Sequence, residues 1–401
     1  MTNYQYLIIG GGMTADAAAR GIRGVDRSGS IGILSDEPDP PYERPPLSKG
    51  LWKGKPIEKI WRRTAEMGVS LHLDRRAISI ERASREVRDG QGEVYRYEKL
   101  LLATGGTPRR MASANQGVIY FRSLRDYQAL RQIAAPSRRL AVIGGGFIGS
   151  ELAAAITLAG ASAVMVFPEG HIGARLFPAD LASHIDEYYR EKGVEVRAGS
   201  LLKGVEKHGD GFRIRAHMQG EGTREEVIEV DGVVAGIGLQ PNIELAQQAG
   251  LDTSDGIIVD GLLRTGDPLI FAAGDVAAFW NPALSQRLRV EHEDSANTMG
   301  MAAGKAMAGQ LEEYTHFPFF YSDLFDLGYE AVGELDPRLT VVEDWKQPWR
   351  EGVLYYLQEG RVRGVLLWNV WNQVPAARRL IAAPGPFRKE DLIGRLPEPH
   401  R

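Results

Sequence analysis

The sequence predicts an α/β fold with two dinucleotide-binding domains and a C-terminal α+β domain. A glycine-rich segment occurs twice, as LIIGGG at residues 7–12 and as AVIGGG at residues 141–146. Each copy leads into an alanine-rich stretch and then into a short apolar run, at 31–34 and 164–167, that ends beside an acidic residue. From about Phe317, aromatic residues and alternating apolar positions replace this pattern and are followed by a short helical segment near 375–381, which predicts a separate α+β domain.

The order of strand, glycine turn, helix, strand and acid is that of a Rossmann-like βαβ unit. In the first copy, Gly10 permits the tight turn, Gly12 lets the backbone approach a pyrophosphate, and Ala15 lets the helix pack on the strand. The same three positions of the second copy are Gly144, Gly146 and Gly149. One such pattern alone also fits an ordinary βα turn, but two copies with correctly placed acids favour two dinucleotide sites.

The two acids are Asp36 and Glu169, which lie about 20 residues beyond Ala15 and Gly149. At this position a carboxylate can accept hydrogen bonds from an adenine ribose, and the same charge repels a 2′-phosphate. Glu169 therefore favours NADH over NADPH, although Arg175 nearby leaves that preference open. The alternative for both acids is a solvated strand end.

A proline-rich segment, PPYERPPLSK at residues 40–49, follows the first unit. Its prolines exclude a helix interior or a central strand, which indicates a stiff loop. Arg44 and Lys49 suit an anionic or hydrogen-bond-accepting cofactor, although a plain linker is the alternative. Farther on, Asp275 follows an apolar strand and precedes a helical segment, where it can cap a helix or hydrogen-bond the ribityl chain of a flavin.

The composition narrows the function classes. The 401 residues carry 48 basic and 52 acidic side chains, a net charge of -4, so no overall basic field favours nucleic acid or an anionic membrane. The absence of cysteine excludes thiol chemistry and iron–sulfur ligation, so we expect an organic redox cofactor and no metal. No apolar run reaches about 18 residues, which predicts a cytoplasmic protein without a membrane span.

These motifs resemble the two-dinucleotide FAD oxidoreductases, which include ferredoxin and rubredoxin reductases and the apoptosis-inducing-factor flavoproteins. PYERPPLSK at 41–49, ATGGTPR at 103–109 and AGD at 273–275 are typical of the whole group. GSELA at 149–153, FPE at 167–169, YSDL at 321–324, GYEA at 328–331 and LWN at 367–369 are closer to the apoptosis-inducing-factor branch. The resemblance spans nearly the whole chain.

The resemblance implies a discontinuous FAD domain at 1–111 and 241–316, an NAD(H) domain at 112–240, and a C-terminal interface or dimerisation domain at 317–401. The residues it assigns to FAD are Gly10, Gly12, Ala15, Asp36, Arg44, Lys49, Ala77, Arg122 and Asp275. Those it assigns to NAD(H) are Gly146, Phe147, Ile148, Gly149, Glu169, Arg175, Gly238, Glu330 and Asn369.

The resemblance also implies a catalytic group of Lys49, Glu151, His292 and Tyr321. It places Glu291, His292 and Tyr321 where the flavin and the nicotinamide meet, and it pairs Glu151 with Lys49 beside the reactive flavin nitrogen. Tyr321 stands where tryptophan is usual in both branches, which weakens any expectation of a stable complex with reduced cofactor. Without the resemblance, a helix-start acid, a surface imidazole and a core tyrosine remain the alternatives for Glu151, His292 and Tyr321.

The resemblance implies an enzyme that oxidises NADH through FAD, with an electron acceptor that three hypotheses describe. The first is a ferredoxin or rubredoxin. Such partners are usually acidic, so a basic surface built from neighbouring arginines such as 75 and 76, 138 and 139, or 378 and 379 would steer them, and plain solvated arginines are the alternative. The second is direct reduction of oxygen or a quinone, as in apoptosis-inducing-factor relatives. The third is a redox-sensing protein whose NADH-reduced form changes its partners or its dimerisation.

Overall fold

The computed structural model describes residues 1–113, 117–218 and 224–397. The chain divides into two compact units. Unit 1 contains Met1–Arg44, Pro56–Thr107 and Gln240–Pro318, and unit 2 contains Pro45–Lys55, Pro108–Leu239 and Phe319–Arg401. Two short strands, Gly106–Pro108 and Leu239–Pro241, lie at the positions where the chain passes from one unit to the other.

Unit 1 is built on a mixed sheet whose strands follow the order Val69–His72, Ile31–Leu34, Thr2–Ile9, Val94–Leu102, Glu86–Asp89 and Ala77–Glu81, with Ile270–Ala272 also paired to Val94–Leu102. The pairings that involve Thr2–Ile9 are parallel. Leu7, Ile8, Leu100 and Leu101 are fully buried, which explains their unbroken apolar runs, because a parallel sheet is covered on both faces.

The helices of unit 1 are Met13–Val25, Glu244–Gln248 and Glu293–Met307. A second sheet contains Thr253–Ser254, Gly256–Ile258, Ala277–Asn281 and Gln286–Leu288. Short 3-10 turns occur at Ile57–Ile60, Thr64–Met67 and Gly274–Val276. Buried Asp16 anchors the first helix, since it accepts hydrogen bonds from Arg62 at 2.7 Å and from Thr64 at 2.7 Å.

Unit 2 contains a parallel sheet of the order Glu195–Arg197, Ser162–Val166, Arg139–Ile143, Gly232–Ala235 and Ile119–Tyr120. Its helices are Leu124–Ile133, Phe147–Leu158 and Ala179–Glu191. An antiparallel sheet of Ser200–His208, Gly211–Met218 and Arg224–Val230 packs apolar side chains such as Val205 and Ile214 against this core. Ser123 and Asp126 form a capping box that fixes the start of the helix Leu124–Ile133.

The C-terminal part of unit 2 is an antiparallel sheet of the order Phe319–Leu324, Leu327–Gly333, Arg361–Trp368, Glu351–Gln358 and Thr340–Gln347. The helices Val374–Ala382 and Lys389–Leu392 follow it. Leu354, Leu366, Leu367 and Trp368 are fully buried, as expected for the central strands of a covered sheet.

The α/β class, the paired glycine turns and the C-terminal α+β region predicted from the sequence are confirmed. The strand predicted at 31–34 has those bounds, and the strand predicted at 164–167 is Ser162–Val166. The division into three domains stays a prediction. In the two-unit division, Pro45–Lys55 groups with the second glycine turn rather than the first, and 319–401 groups with it as well.

No helix within the described residues is long and apolar enough to cross a membrane.

Candidate functional site

The first glycine turn lies in unit 1 at the start of the helix Met13–Val25. Gly10 has a φ of 114°, and a Cβ added there would lie 2.1 Å from the backbone oxygen of Ala103. At Gly12, by contrast, the nearest atom to an added Cβ is Arg44 Nη2 at 3.9 Å. No side chain caps the helix at Gly12. The turn therefore combines free helix N–H groups with open space, which suits a pyrophosphate.

The second glycine turn, in unit 2, repeats this geometry. Gly144 has a φ of 115°, and Gly146 precedes its helix with φ -88° and ψ -165°, against -90° and -167° at Gly12. An added Cβ at Gly146 would meet nothing within 4 Å. At Gly149 it would lie 2.0 Å from the oxygen of Gly144. The two turns thus share one backbone geometry, which suits an anion at each helix start.

Two acidic residues, Asp36 and Glu37, follow the strand Ile31–Leu34 where the sequence analysis expected one. Asp36 is exposed, and its neighbour Glu37 is the residue engaged by the proline-rich loop. Glu37 accepts a hydrogen bond from Tyr42 Oη at 2.7 Å and forms an ion pair with Arg44. The role of Asp36 toward a ribose stays a prediction. Glu37 was not singled out from the sequence, because it is adjacent to Asp36 and an approximate spacing cannot distinguish the two positions.

Asp275 lies near the first glycine turn within unit 1. It is 9% exposed and sits in the 3-10 turn Gly274–Val276, after the buried strand Ile270–Ala272. An added Cβ at Gly274 would be 2.3 Å from Thr14 Oγ1, so this turn packs against the first turn of the helix Met13–Val25. Asp275 is therefore placed to reach a group bound at that helix start.

The remaining residues assigned to FAD occupy varied positions. Ala77 begins the strand Ala77–Glu81 of unit 1 and is half-buried. Arg122 lies in unit 2, where its backbone N–H donates to Asp126 at 3.0 Å. Glu291 pairs with Arg289 at 2.6 Å, and His292 is the residue that precedes the helix Glu293–Met307. Their contacts with a cofactor stay predictions.

Glu169 follows the strand Ser162–Val166 and forms an ion pair with Arg175 at 2.5 Å. The side chains are 26% and 85% exposed, so both can turn to a ligand. The loop that carries them is tied to the glycine turn, because Gly173 N–H donates to Gly145 O at 2.9 Å. Gly238, with a φ of 92°, closes the adjacent strand end.

The first turn of the helix Phe147–Leu158 exposes two apolar side chains, Phe147 and Ile148. Phe147 lies edge-on to Phe320, with ring centroids 5.1 Å apart. Glu330, on the neighbouring strand Leu327–Gly333, has its pKa raised by burial, while the N–H of Asn372 lowers it. Its buried Oε2 has no hydrogen-bond partner among the described residues, which is the expected state of an acceptor reserved for a ligand.

The side-chain amide of Asn369 already makes hydrogen bonds within the protein at both its oxygen and its nitrogen. Its side-chain oxygen accepts from Gly328 N–H at 2.8 Å, and its amide nitrogen donates to Arg350 O at 2.8 Å. Both ends of the amide therefore hold the loop that follows the strand Arg361–Trp368. Any contact of Asn369 with NAD(H) stays a prediction.

The structure brings Lys49 and Glu151 together within unit 2, as the resemblance implies. Lys49 Nζ donates to Glu151 Oε1 at 2.6 Å and lies 5.1 Å from the centroid of the Tyr321 ring. The side chain of Glu151 is 3% exposed and that of Lys49 is 14% exposed. The two opposite charges compensate each other at a nearly buried position, where an unpaired charge would be costly.

Two further ligands of Glu151 were missed from the sequence. Ser48 Oγ donates to Oε2 at 2.5 Å, and Ser322 Oγ donates to Oε1 at 2.6 Å. Each serine directly adjoins a residue already singled out, Lys49 and Tyr321. The two serines lie inside the motifs PYERPPLSK and YSDL, but serine has so many roles in proteins that a motif alone does not assign one.

The arginine pairs considered for steering an acidic partner are partly neutralised. Arg138 pairs with Asp231 at 3.0 Å and Arg139 with Glu195 at 2.6 Å. Arg75 pairs with Asp89 at 3.2 Å. These side chains are therefore weak candidates for a cationic docking surface, because their charge is already compensated.

Comparison with known proteins agrees with this geometry. Residues 4–302 match the family model described as pyridine nucleotide-disulphide oxidoreductase, and 342–383 match that of the mitochondrion-associated C-terminal region of apoptosis-inducing factor. The ferredoxin–NAD(+) reductase component of the anthranilate 1,2-dioxygenase system from Burkholderia cepacia is 32% identical, over 99% of this chain and 96% of that protein. Monodehydroascorbate reductase 3 of Arabidopsis thaliana is 30% identical, over 91% of this chain and 89% of that protein.

Among solved structures, the covalent putidaredoxin reductase–putidaredoxin complex matches with a TM-score of 0.86 at 28% identity, over 95% of this chain and 94% of that one. The family model covers most of the chain, including both glycine turns. This chain therefore belongs to the pyridine nucleotide-disulphide oxidoreductase family.

Proposed function

We propose that this FAD-dependent NADH oxidoreductase delivers its electrons to a small ferredoxin-type iron–sulfur protein. The single observation that carries the two-cofactor reading is the duplicated glycine turn, in which Gly12 and Gly146 both leave open space at an uncapped helix start. The residues present fit the two groups, since each cradle is accompanied by a buried acceptor, Asp275 in unit 1 and Glu330 in unit 2.

Bound FAD would supply the capacity to take a hydride from NADH and to pass electrons on to the acceptor. The chain's own residues supply binding, orientation and charge. The first turn of each helix donates N–H groups to a pyrophosphate, and Glu169 accepts from a ribose. Glu151 holds the Lys49 ammonium in one position. The resemblance assigns that ammonium to the flavin, where a fixed positive charge would favour hydride acceptance.

The chain cannot use a dithiol of its own, in spite of the family's name, because it contains no cysteine. Electrons must therefore leave directly for an external acceptor. A ferredoxin-type acceptor is supported by the relative from Burkholderia cepacia, whose name describes a ferredoxin reductase and whose length the alignment covers by 96%. The solved reductase–putidaredoxin complex supports the same class of partner.

A second candidate function is a slow NADH oxidase or redox-sensing protein of the apoptosis-inducing-factor kind. The match of residues 342–383 to that C-terminal family favours it. We also propose a cytoplasmic location, where NADH is regenerated, and a homodimer formed through the C-terminal region.

The acceptor is tested by anaerobic reduction with one equivalent of NADH, followed by rapid mixing with four acceptors in turn. These are a [2Fe–2S] ferredoxin, a soluble quinone, oxygen and the monodehydroascorbate radical. We expect the ferredoxin to reoxidise the protein at least about tenfold faster than each of the others, a difference of about 1.4 kcal/mol in activation free energy. A faster reaction with any of the other three would contradict the proposal, and ferricyanide serves as the control for a competent enzyme.

We expect NADH to be used at least about tenfold more efficiently than NADPH, because the Glu169 carboxylate accepts from the ribose hydroxyls and repels a 2′-phosphate. In Glu169→Ala the ratio should fall to about threefold or less, since Arg175 then meets the 2′-phosphate without a competing acid. The measurement is kcat/KM for both nucleotides. Glu187→Ala, which removes an exposed carboxylate from the helix Ala179–Glu191, should leave the ratio unchanged. Equal efficiencies in the unmodified protein would show that Glu169 does not face the ribose.

A further inference from the structure

We propose that Ser322 is a positioning residue that holds Glu151, and through it Lys49, in the orientation that hydride transfer uses. The proposal rests on the function proposed above, in that Lys49 acts on the NADH-dependent step. It concerns residues of unit 2 alone: Ser48, Lys49, Glu151, Ser322 and Tyr329.

The Glu151 carboxylate is the centre of this group. It accepts from Ser48 Oγ at 2.5 Å, from Lys49 Nζ at 2.6 Å and from Ser322 Oγ at 2.6 Å. The donors come from two stretches of chain more than a hundred residues away on either side, so only the folded unit assembles them. Three donors satisfy a carboxylate that is 3% exposed and cannot rely on water.

Two of these donors share one oxygen. Lys49 and Ser322 both reach Oε1, whereas Ser48 occupies Oε2. The Ser322 hydrogen bond therefore fixes the direction of the Oε1 lone pair that remains for the ammonium. If Ser322 is removed, the carboxylate keeps Ser48 on Oε2 and Lys49 on Oε1 but loses one of its three donors, so its orientation is less restricted and Lys49 is held less firmly.

Ser322 lies in the C-terminal sheet, in the strand Phe319–Leu324, directly opposite Tyr329 of the antiparallel neighbouring strand. The ring of Tyr329 is stacked on Trp368, with centroids 5.9 Å apart and an interplanar angle of 6°. Ser322 itself is fully buried, so the packing of this sheet fixes the position from which its hydroxyl reaches Glu151.

A purely structural Ser322 would affect stability and leave the chemistry of Lys49 unchanged. A positioning Ser322 changes two properties of Lys49. The first is the fraction of neutral amine, which competitive acetylation measures as the labelling rate of Lys49 across pH, read by mass spectrometry on the intact holoenzyme. The second is the rate of flavin bleaching at saturating NADH, measured separately from the NADH dissociation constant. The labelling needs neither NADH nor an acceptor, so it stays informative if the acceptor proposal fails.

For Ser322→Ala we expect Lys49 labelling near neutral pH to rise about threefold or more, because the amine is then held less firmly in its ion pair with Glu151. The bleaching rate should fall about three- to tenfold, with the NADH dissociation constant within twofold of its starting value. Ser322→Thr keeps the hydroxyl and should restore both quantities. Ser322→Cys nearly keeps the size of the side chain, replaces the hydroxyl by a weaker donor and should give a smaller change in the same direction, which provides a second route if Ser322→Ala does not fold.

Thr157→Ala is the matched control. It deletes a hydroxyl from the same helix as Glu151, where Oγ1 donates to Ala153 O at 2.8 Å away from the carboxylate. We expect it to leave labelling and rate unchanged. The proposal is overturned if folded Ser322→Ala and Ser322→Cys both show the labelling and bleaching rates of the unmodified protein, or if Ser322→Thr behaves as the alanine variant does.

Discussion

Gly149→Ala is expected to raise the dissociation constant for NADH by about 5- to 150-fold while the protein keeps its FAD. An added Cβ at Gly149 would lie 2.0 Å from the backbone oxygen of Gly144 and 2.8 Å from its carbonyl carbon. Backbone cannot swing aside as a flexible side chain does, so the glycine turn itself must shift. Overpacking of this kind costs about 1–3 kcal/mol, and here the cost falls on the segment that receives the pyrophosphate.

The two copies of the turn explain why the effect should be confined to one nucleotide. The corresponding residue of the first copy is Ala15, which is fully buried and accommodated. The first turn therefore already fits a methyl group at this position, whereas the second does not. The measurements are an NADH titration followed by flavin bleaching, and the ratio of flavin to protein absorbance. Loss of FAD together with NADH would contradict the expectation, because it would mean that Gly149 supports the whole fold.

Gly24→Ala is the control for this substitution. Gly24 lies in the helix Met13–Val25, and an added Cβ meets nothing within 4 Å. Alanine has a higher helix propensity than glycine by about 1 kcal/mol, so this variant should be as stable as the unmodified protein or more stable. An NADH affinity unchanged in Gly24→Ala and lowered in Gly149→Ala would locate the effect in the turn.

The glycine turns could be predicted from the sequence because their determinants are local. Gly10 and Gly144 need positive φ, and the apolar runs before them need burial on both faces, and both requirements are visible within a dozen residues. The pairing of Lys49 with Glu151 is not local, and it came only from the resemblance. The roles of Ser48 and Ser322 could not be predicted, since a serine hydroxyl fits any polar surrounding and gains its meaning from the carboxylate that the fold brings to it.

The grouping of Pro45–Lys55 was also beyond the sequence. The proline content of 40–49 correctly indicated a loop, but nothing in it decides which core the loop joins. In the structure, residues up to Arg44 group with the first glycine turn and those from Pro45 group with the second. Within unit 2, Trp52 lies edge-on to Tyr127 with ring centroids 5.7 Å apart, and Arg131 lies over Trp52. These contacts depend on residues far along the chain.

Lys49→Met and Glu151→Gln are each expected to slow NADH-dependent flavin bleaching by about 100-fold or more, with FAD still bound. Removal of one preorganised charge from a site that favours negative charge in the transition state costs about 2.7–4 kcal/mol. Each variant also leaves a partner buried and uncompensated, which destabilises the fold by about 3–5 kcal/mol. Stopped-flow bleaching and urea unfolding measure the two effects separately.

The double variant distinguishes a coupled pair from two independent residues. Because Lys49 and Glu151 are 2.6 Å apart and nearly buried, the loss in the double variant should be smaller than the sum of the single losses, with a coupling free energy of about 0.5–3 kcal/mol. Lys53 and Asp323 offer the matched control cycle in the same unit, at 3.1 Å but with side chains 47% and 38% exposed. That cycle should be additive within about 0.5 kcal/mol, since exposed pairs are solvated. Additive losses in the first cycle would mean that Lys49 does not depend on Glu151 for its charge, and the chain of contacts through Ser322 would then have no reacting group to position.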